Sequence, residues 1–145
     1  MTENSRDSGE HGFFWQGTAE ELERWKRYVQ DKAVTFVRNG YSVAWYPDGY
    51  NWIDVFIPER WYAREPELRA SVKFFNQPSK FGIEGGCISK LTIQLRHQDP
   101  IARVRGRPHE QVVTLFNYDR GAEIDRLGAH AEARSLYDLV LKFLN

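Results

Sequence analysis

Cysteine occurs once, as Cys87, in 145 residues. A single thiol excludes an intramolecular disulfide framework and a cysteine-based metal cluster, and it suits a reducing compartment. The four histidines, His11, His97, His109 and His130, include no pair at ligand spacing, so neither a metal nor another cofactor is expected. No apolar run approaches the roughly 18 residues of a membrane span, and the opening MTENSRDSGEHG lacks the apolar stretch of a signal peptide. A cytoplasmic protein with no membrane partner is the expectation. Charge of neither sign prevails: 20 Lys and Arg balance 20 Asp and Glu, so any electrostatic signal must come from local distribution.

What is present is apolar surface and regular pattern. The chain is 41% hydrophobic, with five Trp, seven Tyr and nine Phe, enough for one domain with a real core. Residues 1–12 read as a disordered polar tail and 13–145 as a single α+β domain. Thr18 and Glu21 form a capping box ahead of Leu22, Trp25, Val29, Ala33, Phe36 and Val37 at helical spacing. That helix should stop at Asn39-Gly40. Two aromatic and β-branched runs around Pro47-Asp48-Gly49 predict a hairpin over 41–57, with Ile53, Val55 and Ile57 inward. Trp52, Asp54 and Phe56 then share the other face, which the first helix should cover unless it is a contact surface. Alternation over 69–75 predicts another strand, and Ala133, Leu136, Val140 and Phe143 mark a closing helix over 129–144. The expected architecture is a mainly antiparallel sheet of five or six strands between two helices.

The centre of this sheet is read as a three-strand meander over 81–118. Ser89, Leu91, Ile93 and Leu95 alternate with Lys90, Thr92, Gln94 and Arg96. A turn at His97-Gln98-Asp99-Pro100 would set Gln94 opposite Arg103, Thr92 opposite Arg105 and Lys90 opposite Arg107, and 111–118 would return beside them. Lys90, Arg96, Arg103, Arg105 and Arg107 would then share one face with Phe116, a surface suited to phosphate or carboxylate. The same register puts Cys87 opposite Glu110 and near His109, a thiol and imidazole that could form a nucleophilic pair. It also brings Tyr118, Asp119 and Arg120 toward His97, residues that could share acid and base work. Buried cysteine and a hydrogen-bonded strand end are the plainer readings of these two sets.

Ser79, Phe81, Gly82, Ile83, Gly85, Gly86, Ile88, Ser89, Lys90 and Leu91, with Tyr118, Asp119, Arg120 and Gly121 later, resemble a family of small uncharacterised phage and mobile-element proteins. That pattern has arginine where Cys87 stands and tryptophan where Ala122 stands. The resemblance covers the C-terminal half and implies a small accessory protein with no particular reaction. The expected function is non-enzymatic binding of a host protein or nucleic acid through the basic face. The alternatives are a small hydrolase or nuclease-like enzyme using either set above, and a self-associating structural subunit.

Overall fold

In the computed structural model the described residues are 18–45, 51–60, 63–98, 104–106 and 110–145. Helix α1 (Ala19–Arg38) starts where the capping box requires: Glu21 N donates to Thr18 Oγ1 at 3.1 Å, and Thr18 Oγ1 donates to Glu21 Oε1 at 2.9 Å. It ends at Asn39, and Gly40 takes φ 90°. Strands β1 (Ser42–Trp45), β2 (Trp52–Ile57), β3 (Glu67–Phe74), β4 (Ile88–Gln98), β5 (Glu110–Asp119) and β6 (Ala122–Asp125) follow, then helix α2 (Ala131–Leu144). The six strands lie side by side in chain order, every neighbouring pair antiparallel. The fold is α+β.

Both helices lie on one face. Trp25, Val29 and Phe36 from α1 and Ala133, Leu136, Val140 and Leu144 from α2 join Ile53, Val55, Val72, Phe74, Leu91 and Ile93 in one core. Trp25 lies 5.6 Å from Phe74, Phe36 meets the partly buried Phe143 edge-on at 5.8 Å, and Phe116 meets Tyr137 at 4.8 Å. Helix α1 therefore covers the Ile53 and Val55 side, not the Trp52, Asp54 and Phe56 side assigned to it from sequence. Its outermost apolar positions, Val34 and Val37, stay exposed.

The central meander is corrected. Strand β4 runs on through His97 to Gln98 and pairs directly with β5: Gln94 faces Thr114, Arg96 faces Val112 and Gln98 faces Glu110. Strand β5 takes the place beside β4 assigned from sequence to a middle strand over 101–107. Of that stretch, 104–106 are described, with Val104 88% exposed and Gly106 at φ 68°. A β-bulge between Ile93 and Gln94 inserts Leu115 as an extra residue, so Leu115 and Phe116 are both buried. Phe116, predicted on the basic face, therefore belongs to the core. The polar connection expected after Asp119 holds β6, entered by a tight turn in which Arg120 has φ 61°.

Candidate binding site

The sheet face away from the helices carries a cross-strand polar lattice. Thr92 Oγ1 donates to Asn117 Oδ1 at 2.9 Å, and Gln94 Nε2 donates to Thr114 Oγ1 at 3.2 Å. Arg69 Nη1 donates to Asp54 Oδ2 at 2.6 Å while its Nε donates to Glu67 Oε1 at 2.7 Å, and its guanidinium lies 4.1 Å from the centre of the Phe56 ring. The hydrogen bond to Glu67, then that to Asp54, push the Arg69 pKa up, against the opposing effect of burial. Arg96 Nη2 reaches Glu110 at 3.3 Å. Here each guanidinium already has its carboxylate.

The other end of the same face differs. Trp52 on β2 faces Lys73 on β3, Lys73 faces Lys90 on β4, and Lys90 faces Asp119 on β5, with Nζ 3.8 Å from the carboxylate. Two lysines thus stand at paired positions of the row, with Lys73 Nζ 5.6 Å from the centre of the Phe75 ring and Lys90 Nζ beside Asp119. Beyond Asp119, the Arg120 guanidinium stands 5.2 Å from the centre of the Phe81 ring, and Lys80 Nζ stands 5.0 Å from it. Phe81 is 37% exposed, an aromatic ring between two cations.

The corner that presents Phe81 is fixed by backbone bonds. Phe81 N donates to Ser79 Oγ at 3.1 Å, Ser79 N to Gly86 O at 3.1 Å, and Tyr118 Oη to Phe81 O at 2.8 Å. Glu84 (φ 52°) and Gly85 (φ 71°) reverse the chain. Asn145 closes it: its Oδ1 accepts from Ile88 N at 3.0 Å and its Nδ2 donates to Ile83 O at 2.9 Å. The two motifs of the C-terminal half, 79–91 and 118–121, are therefore brought together in space.

Not all predicted site residues share this site. Lys90 and Arg96 share the open face, but each pairs with an acid; Arg105 is exposed in the connection, and Arg103 and Arg107 lie outside the described residues. The register that would line Arg103, Arg105 and Arg107 along β4 is replaced by the β4–β5 pairing. Tyr118 pairs with Leu91 and His97 with Gln111, which separates them by about 20 Å at strand rise; His97 Nδ1 instead meets Glu59 Oε2 at 2.9 Å. Cys87 precedes β4 whereas Glu110 pairs with Gln98 at its far end, so they are not opposite. His109 lies outside the described residues. Among the described residues no cluster of three metal-ligating side chains occurs, and no helix is long and apolar enough to cross a membrane.

Burial pushes the Cys87 thiol up, and Lys32 offsets only part of this. Raised this way, the thiol is mostly protonated near neutrality. Iodoacetamide should alkylate Cys87 more slowly at pH 7.5 than it does a short unstructured cysteine peptide, with the gap narrowing as pH rises. Faster alkylation than the peptide, read by intact mass, would contradict this environment.

Sequence reasoning missed Lys73 as a member of the row with Lys90, and Lys80 and Phe81 as neighbours of Arg120. The position of Lys73 in the Arg69, Ser71, Lys73 alternation was a usable signal, but nothing local indicates that 79–81 folds against 118–120. Residues 60–145 match the model of a domain of unknown function, DUF7678. No curated protein and no solved structure matches the chain.

Proposed function

Since this chain belongs to the DUF7678 family, a domain of unknown function that brings no activity with it, we propose from its geometry a non-enzymatic binding module for single-stranded nucleic acid. The observation that carries the reading is the Lys73 and Lys90 pair on the open face. Both are cationic side chains rising from adjacent strands, Lys90 beside Asp119 and Lys73 beside the Phe75 ring. A phosphate over this row would draw on both cations. Trp52 in the same row and Phe81 at the corner offer stacking faces, and Lys80 and Arg120 stand beside the latter. Base stacking on an aromatic side chain is worth roughly 1–3 kcal/mol per base and tolerates any sequence. An accessory role in a phage or mobile element has the motif resemblance alone behind it.

The test is a salt series of binding to short single-stranded DNA and RNA. Affinity should fall linearly in log–log form, and Lys90→Glu should flatten the slope by about 1. Phe81→Ala should weaken binding roughly 5- to 100-fold with an unchanged slope, because stacking releases no counterions. No binding at low salt would sink the proposal. A second reading then takes over, favoured by the balanced charges of Asp54, Glu67 and Arg69 and of Arg96 and Glu110: a protein partner docked on the same face.

A further inference from the structure

Among the described residues, the outer edge of β5 is only half covered. Strand β6 pairs with it at Phe116, Asn117 and Tyr118, and Arg126 N donates to Leu115 O at 2.7 Å. From Glu110 to Thr114 the strand has β4 on one side and no described strand on the other. The side chains here are unusually open for a strand beside a core: Val112 is 43% and Val113 48% exposed, on opposite faces. Edge strands are normally blunted by lysine, proline or a bulge, because free N–H and C=O groups invite another strand. Gln111, Val112, Val113 and Thr114 provide neither charge nor proline, and β-branched residues favour strand pairing.

Independently of the nucleic-acid reading, we propose that this edge pairs antiparallel with the same edge of a second copy of the chain, about a two-fold axis through Val112. The occupant follows from symmetry. A continuous antiparallel sheet across such an axis needs residues of equal facing opposite one another. The open edge 110–114 is centred on Val112, so self-pairing there sets Val112 against Val112, Gln111 against Val113 and Glu110 against Thr114. Every open position gains a partner, the exposed valines meet valine or the stem of glutamine, and the only charged residue faces a hydroxyl. A register two residues further along would run Glu110 into Phe116, where β6 already lies. The contact is small, below the roughly 1,200 Å² of standard interfaces, so association should be weak and concentration-dependent.

The experiment uses the full chain with Cys87→Ser as background. Directly opposed antiparallel residues have Cα atoms about 4.5–5.5 Å apart, inside the disulfide range. Val112→Cys should therefore form a linked dimer on mild oxidation. Thr114→Cys, displaced from its own copy by about 13 Å along the strand, should link at least tenfold more slowly. Sedimentation velocity should show a mass average rising with concentration, and Val112→Lys, which sets two ammonium groups together, should abolish that rise. Thermal melting of Val112→Lys serves as the folding control, and Val112→Thr, which keeps the β-branch, should retain association. A wild-type monomer at every concentration reached, a dimer untouched by Val112→Lys in a folded protein, or equal linking at Thr114 would each overturn the assignment.

Discussion

Arg69→Ala should lower the unfolding free energy by about 3 kcal/mol, read as a shift of the urea midpoint at constant slope. The size comes from what the guanidinium holds. Its side chain is 15% exposed, between Asp54 at 11% and Glu67 at 20%, with the Phe56 ring against it. Truncation deprives both carboxylates of their shared cation inside a partly dry sheet face and withdraws a planar group from the ring. Arg69→Lys should recover only part of the loss, because a single ammonium group cannot reproduce the fork that spans two acids. The triple substitution Asp54→Leu/Glu67→Gln/Arg69→Met should cost less than Arg69→Ala alone, since replacing the charges together avoids stranding either carboxylate. A loss below about 1 kcal/mol for Arg69→Ala would show that water already screens the triad. The upward shift of the Arg69 pKa has a definite sign: the guanidinium keeps its charge, and its own titration would remove stability only in strong alkali.

The second large effect is expected at Gly82. A Cβ there would lie 1.9 Å from Gly86 O and 2.7 Å from its carbonyl carbon, and backbone cannot rotate aside as a side chain can. Gly82→Ala should cost about 3 kcal/mol, at the upper end of overpacking losses, and should open the corner that carries Phe81. Gly86→Ala has a different cause. Its Cβ would meet the Asn145 amide at 2.3–2.4 Å, and that amide can move, but only by giving up its bonds to Ile83 O and Ile88 N. At roughly 1 kcal/mol per net hydrogen bond, the loss should be about 2 kcal/mol. In an Asn145→Ala background, Gly86→Ala should add little. Additive losses in that double-mutant cycle would rule out the interlock.

The legible parts of the fold are those whose signal is local. Thr18 and Glu21 announce α1 because one turn of backbone satisfies both. The alternation of Leu91 and Ile93 with Lys90 and Thr92 announces β4, and Ala70, Val72 and Phe74 announce β3. The meander misleads because residues 101–107 also alternate, as Ile101, Arg103, Arg105 and Arg107 against Ala102, Val104 and Gly106, and match β4 face for face across a turn at 97–100. The β-branched and aromatic run of β5 is longer and can match β4 over its full length, so it takes the pairing. Four-residue β6 gave too little pattern to see, although the tight Arg120-Gly121 turn was a hairpin signal. At the candidate site, Lys90, Asp119 and Arg120 were identified, but their company was not. What joins Phe81 to Tyr118 and Asn145 to Ile83 is contact between residues far apart in the chain, which local pattern does not encode.

The bulge at Leu115 divides β5 into two halves of opposite parity. Before it, even-numbered Val112 and Thr114 face outward; after it, odd-numbered Asn117 and Asp119 do. Deleting Leu115 would restore a regular ladder and leave Phe116 and Tyr118 inward and Asn117 and Asp119 outward, because Thr114 and Phe116 already face consecutive residues of β4. For comparing relatives this acts as a ruler. A homologue one residue shorter between Glu110 and Asp119 can keep the same inward and outward side chains only if its gap is placed at 115. An alignment that opens the gap elsewhere in this strand would equate core positions with surface ones.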